Sequence, residues 1–485
     1  MTSSPNASSG SASRRADPRR ADTRRTDTRR ADRLRDVQGR ADRCRPGWQL
    51  SVTAIVTAIA LSLGAATAQV SFDLGGELST LLGVDVGGDF TMAEVCAELY
   101  GQGEVGSGFF PDAVFYVEGG ACYDAAVQAG PQGGVPTDPL DLLFPTPDPF
   151  SVWLGEAYAT VYLGNSELTV GRQKVSWGSA DALAPLDVVN PHDLAHPVAQ
   201  PADTRLATLM ARLRVDAPEG VGLDFVIVPV FEPSRLPGRE WQPDVAVPAF
   251  PPQAGVVGLA PVLDNRPAAA IRNVQFGVRA TLDLDVFDGT DASVSYFRGF
   301  SKLPTPSFRL EPVPGAPGSN YVQPVLDYDR IHLLGLDFSS VIGSFVVRGD
   351  AALTLTDDHE GVDPTVGNPK LAAVLGAERS LSGGAYLTGQ VTFERTWPDA
   401  DGEATVDVAS ILALRIEPDA RLTVQGAWLH DYTDGSGLVQ PSATYALADG
   451  VALSLEGTVF YGRTGSRYGA WSENSDLRIG VTYAF

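Results

Sequence analysis

The chain has 485 residues, 44 % of them apolar and 20 % charged, with 59 Asp and Glu against 36 Lys and Arg and a formal net charge of −23. Thirteen of the arginines and 6 of the aspartates lie in the first 68 residues, so residues 69–485 carry 23 basic and 53 acidic side chains. That excess of acid excludes a nucleic-acid-binding surface, which needs basic patches to meet phosphate. No later run of around 18 apolar residues is available for a membrane-spanning helix.

The chain opens on SRRADPRRADTRRTDTRRADRLR, an Arg-Arg-x-Asp unit repeating about every five residues that is too polar to fold. It reads as upstream sequence ahead of the true start rather than as a basic arm for nucleic acid or anionic lipid. A start near Val37 leaves an ordinary signal n-region. From Leu50 to Leu63 runs LSVTAIVTAIALSL, free of charge, preceded by Arg40, Arg43 and Arg45 and followed by small residues at Ala66 and Ala68. This is the pattern of a secretory signal peptide cut after Ala68. Residues 1–68 are therefore set aside as leader and signal. Cys44 precedes the apolar stretch, so no lipid-modified N-terminus is expected.

Residues 69–150 read as an irregular, Gly- and Pro-containing segment with one strand, from Val70–Leu82 or Ala113–Gly119. They hold the two remaining cysteines, Cys96 and Cys122. In an exported protein such a pair predicts one disulfide, worth ~3 kcal/mol in the loop-closure picture.

From Trp153 to the end, about ten-residue runs alternate apolar and polar side chains, as in Phe345, Val347, Gly349, Ala351, Leu353 and Leu355 against Val346, Arg348, Asp350, Ala352, Thr354 and Thr356. Soluble strands run to about five or six residues, whereas about 9–11 residues cross a bilayer. Short connections after Val215, Ser339, Ser380 and Ile416 alternate with long ones at Glu232–Pro267, Lys302–Tyr328, Asp357–Pro369 and Trp397–Ala404. The last strand has Leu477, Ile479, Val481 and Tyr483 on one face and ends on Phe485. Tyr483 and Phe485 match the aromatic end by which outer-membrane barrels are handed to their assembly machinery. The predicted fold is all-β, a transmembrane antiparallel barrel over residues 151–485 with about 14–16 strands including the one from 69–150.

The most distinctive string is LTVGRQKVSWGSADALAPLDVVNPHDLAHP, from Leu168 to Pro197. Its Gly171, Arg172 and Gln173, then Trp177 and Gly178, Asp187, and Asn190, Pro191 and Asp193 resemble the motif of a largely uncharacterised, porin-like family of bacterial outer-membrane barrels. The resemblance covers about 25 residues and implies a barrel whose loop folds inward; it implies little about cargo. A long loop with Trp177, Asp181, Asp187 and Asp193 can find partners for its polar backbone inside a wet lumen, where it would narrow the pore.

Charge on the lipid side is costly, about 2–4 kcal/mol for Arg at the midplane, so Arg172, Arg212, Arg279, Arg348, Asp350, Glu394, Arg415 and Arg478 are expected to point inward as lining or constriction residues. Mixed signs across a narrow pore would orient zwitterionic or anionic solutes. His192 and His196 could share a helix face as metal ligands, but Pro191 and Pro197 bracket them. Asp399, Asp401 and Glu403 form an incomplete calcium loop, a weak candidate for Ca²⁺ in an external loop. His430 beside Asp431 is the one tempting catalytic pair, and no enzyme is expected. A plugged transporter of 22 strands exceeds the available length.

The expectation is an outer-membrane channel through which small solutes diffuse. It touches outer-membrane lipid, needs no cofactor, and belongs to a class that includes homo-trimers. Two alternatives stand beside it: a partner barrel for export or lipid transfer, and a closed structural or adhesive barrel.

Overall fold

A computed structural model describes residues 69–107, 110–127, 148–181, 183–195, 204–237, 255–363, 365–398 and 404–485. Residues 1–68, His196 and Asp399, Asp401 and Glu403 lie outside them. The leader, signal, second-histidine and calcium-loop expectations fall there.

The first three strands are β1 (Gln69–Asp85), β2 (Phe90–Ser107) and β3 (Phe110–Asp124). Then come β4 (Phe150–Leu163), β5 (Ser166–Gln173), β6 (Thr208–Ala217) and β7 (Val221–Val228). Two short strands come next, β8 (Val256–Leu259) and β9 (Leu263–Asn265), then β10 (Gln275–Leu284), β11 (Thr290–Phe300), β12 (Thr305–Pro312) and β13 (Asn320–Asp327). The remainder is β14 (Arg330–Ile342), β15 (Phe345–Thr356), β16 (Lys370–Leu381), β17 (Ala385–Thr396), β18 (Thr405–Ile416), β19 (Leu422–Asp431), β20 (Ser436–Ala448), β21 (Val451–Tyr461) and β22 (Asp476–Ala484).

Eighteen of these form one sheet in which each strand pairs antiparallel with the next, β7 passing directly to β10 and β11 to β14. The sheet closes where β1 meets β22, from Glu77 opposite Ala484 to Asp85 opposite Asp476. Closure removes every free edge, which is why a barrel, unlike an open sheet, can stand in hydrocarbon. β8, β9, β12 and β13 form a separate small sheet built from the connections between β7 and β10 and between β11 and β14. There β12 and β13 are antiparallel, and β8 and β9 run parallel to β13.

The strand number exceeds the 14–16 expected. From β4 onward the wall has the fifteen strands that alternation indicates; the surplus comes from residues 69–124, where three long strands replace the single one expected in an irregular segment. Glycines hide the pattern there. Gly101 and Gly103 occupy outward positions on β2, and the ring of Phe72 from β1 lies across both. The outer surface is apolar as a result of cross-strand covering that no single run displays.

Alternation sets the two faces of the wall. Leu78, Val95, Leu99, Phe225, Ile227, Leu334, Leu336, Val391, Leu477 and Ile479 are all exposed and all on one face. A belt of this extent on the outside suits lipid, not water. The inner face carries the charge, and its main apolar cluster lies inside the barrel: Val175, Trp177, Leu186 and Val189 against Met210, Val226, Val228, Phe297, Leu333 and Ala352. Cys96 and Cys122 are opposite one another on β2 and β3 and are joined as a disulfide.

Candidate functional site: an inward segment anchored across the barrel

The segment after β5, residues 174–195, packs on the inner wall and holds its own shape before it touches anything else. Asn190 does most of this: its Oδ1 accepts from Val175 N at 2.7 Å, and its Nδ2 donates to the carbonyls of Gln173 and Leu206, each at 2.9 Å. The side chain is fully buried and replaces three bonds that an irregular backbone would otherwise lack. Asp187 binds Arg205 Nε at 2.6 Å, and Arg205 also reaches Ser176. Burial raises the Asp187 pKa, against the pull of Arg205 and His192. Asp193 pairs with Arg235 at 2.9 Å.

Trp177 then fixes the segment to the wall. Its indole donates to Asp224 on β7 at 3.2 Å, and its ring lies on Gly277 of β10, where an added Cβ would come within 2.5 Å of Trp177 Cη2. Gly178 comes next at φ 94°, a left-handed backbone, and a Cβ there would meet Asp350 Oδ2 at 2.4 Å. With no Cβ in the way, Ser179 N and Ala180 N both donate to Asp350 Oδ1 on β15, at 2.8 and 3.2 Å. Ser179 Oγ donates to Asp337 on β14, which Arg279 of β10 also binds at 2.7 Å. Beyond this, Asp181 pairs with Arg348 of β15 at 2.8 Å, and Gln390 of β17 donates to Leu183 O at 3.1 Å. The segment thus leaves β5 and is tied to β7, β14, β15 and β17, across the interior.

Several residues expected to line a pore have other places. Trp177 is 1 % exposed and Asp350 3 %, both covered by the segment rather than facing open space. Asp187 and Arg279 are likewise occupied within or beneath it. Arg172 shares the face of Leu168 and Val170, the outward one, because it is paired with Ala157 and Leu209 at the end of β5. There Glu232 and the Ala207 carbonyl hold it. The error was one of face: an Arg at a strand end can lie on the outward register where a loop carboxylate meets it.

The remaining expected residues do lie on the inner face, each with a partner of opposite charge. Arg212 binds Asp224 at 2.6 Å, Arg348 also binds Glu378 at 3.1 Å, and Glu394 binds Lys370 at 3.0 Å. Arg415 pairs with Glu417, and Arg478 lies 3.3 Å from Asp476 and 3.8 Å from Glu456. His430 and Asp431, adjacent in sequence, face opposite ways. His430 bonds the Tyr461 hydroxyl beside Trp428, while buried Asp431 binds Arg467. His192 bonds Thr204 and lies 3.8 Å from Asp187. Among the described residues no group of three His, Cys, Asp or Glu side chains is arranged to hold a metal ion.

Sequence reasoning did not single out Asp224, Gly277, Asp337, Gln390 or Asn190 as site residues. Asn190 had a signal, since it sits in the N-P of the motif; the wall residues had none, being set by pairings up to 207 positions away. Also unforeseen is Lys302, two residues past β11. It is buried against the rings of Phe231 and Phe297 and donates to Gln275 Oε1 at 2.9 Å. Desolvation pushes its pKa down to about 7 against the opposing charge of Glu232.

A family model described as "Protein of unknown function (DUF1302)" matches residues 108–458. No curated protein matches the chain. Among solved structures, OccK9 (OpdG) of Pseudomonas aeruginosa aligns at 11 % identity over 86 % of this chain and 98 % of its own, with a TM-score of 0.48. OccAB4 of Acinetobacter baumannii aligns at 9 % identity over 86 % and 98 %, with a TM-score of 0.49. An anion-selective porin from Comamonas acidovorans aligns at 13 % identity over 86 % and 100 %, with a TM-score of 0.40.

Proposed function

The chain belongs to the family described as protein of unknown function (DUF1302), and from its geometry we propose that it is an outer-membrane channel for passive diffusion of small solutes, narrowed by residues 174–195. A single observation carries the reading. A segment tied from β5 across to Asp337, Asp350 and Gln390 occupies part of the lumen at fixed places on the wall. Loops held in this way set the cross-section of a pore without sealing it. The apolar outer belt supports a wall set in lipid, and a signal peptide ending at Ala68 would supply the route of export.

Chemistry is not required of such a protein; the wall's charges act on solutes as they pass. Arg348 and Asp181, paired at the segment with side chains 21 % and 43 % exposed, are members of the expected set that keep accessible surface. Purified protein in planar bilayers should show stepwise ion current. Folded, inserted protein that carries no current would refute the reading and favour a closed structural barrel or a partner barrel for export.

A further inference from the structure

We propose that the outer wall of β11, β14 and β15, at the end carrying the long connections, holds a phosphate-bearing membrane lipid, with Arg298 and Arg330 on the phosphate and an acyl chain in the apolar groove beside them. The inference rests on the lipid-facing wall of the reading above and not on conduction. Val294, Leu334 and Leu336 are exposed on the outer face, and alternation with them puts Tyr296, Arg298 and Phe300 of β11 and Arg330 and His332 of β14 on that face too. An outward arginine is costly at the bilayer midplane and nearly free at the interface. Both arginines meet that rule: Arg298 is third from last in β11, and Arg330 is first in β14.

Register orders this face in rows that suit a lipid from tail to head. Toward the long connections come first Val294, Leu336 and Ala351, then Tyr296, Leu334 and Leu353, then Arg298, His332 and Leu355, and last Phe300 and Arg330. Ala351 is small among these, and the wall there holds an apolar groove of 280 Å³ between Val294, Leu334, Leu336, Leu353 and Leu371. A row is two residues, about 7 Å along a strand, so Arg298 stands roughly 7–13 Å beyond the groove. Tyr296 lies between the two. Its hydroxyl shares a hydrogen bond with His332 Nδ1 at 2.8 Å, and its ring centre is 6.1 Å from that of Phe276, an apolar body with a polar tip as the membrane interface favours.

The charges differ from those inside the barrel. Arg212, Arg279, Arg348 and Arg478 each pair with a carboxylate. Arg298 and Arg330 form no ion pair with a carboxylate among the described residues; Arg330 lies 4.5 Å over the Phe300 ring, and its Nη2 reaches Arg272 O and Asn273 Oδ1 at 3.3 Å. The two arginines are diagonal neighbours across the strand pair, about 7–8 Å apart. Arg298 repels Arg330, while Asp357 attracts it. An anion shared by both guanidinium groups relieves that repulsion. Beside Arg330 is a cavity of 630 Å³ bordered also by Arg266, Arg272 and Phe300, large enough for a phosphorylated headgroup. Asp327 and Asp329 border it as well, but Asp327 accepts from Asn265, and Asp329 from Thr305 and Gly367. Ile271, 94 % exposed, is next to Arg272 at the same rim, where lipid would cover it. A lipid phosphate fits better than a free one, because the arginines face outward and the groove continues the site into the hydrocarbon.

The test is lipid binding by the full-length protein in dodecyl maltoside micelles, titrated with diphosphoryl lipid A or with the same lipid stripped of both phosphates and read by native mass spectrometry. Wild type should bind the diphosphoryl form about tenfold or more tightly. The double variant Arg298→Gln, Arg330→Gln should lose that preference and bind the stripped lipid as wild type does. Ala351→Trp, which fills the groove, should weaken both forms alike. Equal wild-type affinity for the two lipids overturns phosphate recognition. A preference that survives in the double variant overturns the assignment to Arg298 and Arg330, and binding untouched by Ala351→Trp overturns the groove. Inorganic phosphate that displaces lipid A at equal concentration marks a free-phosphate site and overturns the lipid. Should the double variant fail to fold, Arg298→Gln alone and the wild-type comparison still decide. No current is read, so failure here leaves the channel reading standing, and a barrel that binds the lipid without conducting refutes that reading alone.

Discussion

Removing the Trp177 ring should release the constriction. The ring is 1 % exposed, lies on Gly277 and donates to Asp224. Truncating a buried Trp to Ala costs about 3–5 kcal/mol through lost burial and the void left behind. If that cost falls on the docked state of the segment, docking weakens by roughly a hundredfold to several thousandfold, since 1.4 kcal/mol is tenfold. The remaining anchors act against full release: the two amide bonds to Asp350 are charge-assisted, each about 1.5–3 kcal/mol. Trp177→Ala should therefore produce frequent openings to a larger conductance rather than a permanently wide pore. The assay is single-channel recording in planar bilayers, with Trp177→Phe as the control that keeps most of the packing. The wall itself is held by strand pairing, so heat-modified migration of the folded barrel should change little. Wild-type conductance and noise in a folded, inserted Trp177→Ala protein would refute the reasoning.

Gly277→Val reaches the same endpoint from the wall side, because its Cβ would fall 2.5 Å from the Trp177 ring; it should also open the channel, and a silent variant would show that the ring does not bear on β10. Replacing Cys96 and Cys122 by Ala should lower resistance to denaturant by about 2–4 kcal/mol, given a loop closed over 26 positions, while leaving conductance unchanged. Lys302 predicts a pH effect whose sign comes from its folded pKa of about 7 lying below the unfolded value of about 10.4. The unfolded chain binds the extra proton between those values, so the Lys302 contribution is unfavourable below pH ~7 and its penalty fades as pH rises toward 10. Wild type should gain thermal stability over Lys302→Met across that window, measured as the difference between their melting temperatures; a flat difference would refute it.

The wall was legible because hydrocarbon imposes a rule on every second residue. Leu477, Ile479 and Val481 expose one face, and Arg478 is thereby turned inward to Glu456 and Asp476. The same rule failed at Arg172, next to last in β5, where Glu232 and the Ala207 carbonyl take up the guanidinium on the outward face. It failed again over β1–β3, where Gly101 and Gly103 carry no side chain and Phe72 covers them from the neighbouring strand. Trp177 was recognised as part of the inward segment, but not that it is buried beneath it. Whether an aromatic faces a bore or a wall depends on what stands opposite, here a glycine 100 positions away.

The division of labour inside the site explains why its motif says so little about cargo. Asn190, Trp177 and Gly178 serve the segment's own geometry. One satisfies three backbone groups, one fills the space over Gly277, and one clears the approach to Asp350. None of these roles presents a group to a solute, so a chain can keep all of them while its selectivity changes. Inner positions of the wall are different: a carboxylate or a guanidinium fits equally well there between outward apolar neighbours. In this chain the charged residues of β1–β4 are all carboxylates, Glu77 opposite Glu98 among them. The motif's residues therefore fix where the inward segment sits on the wall.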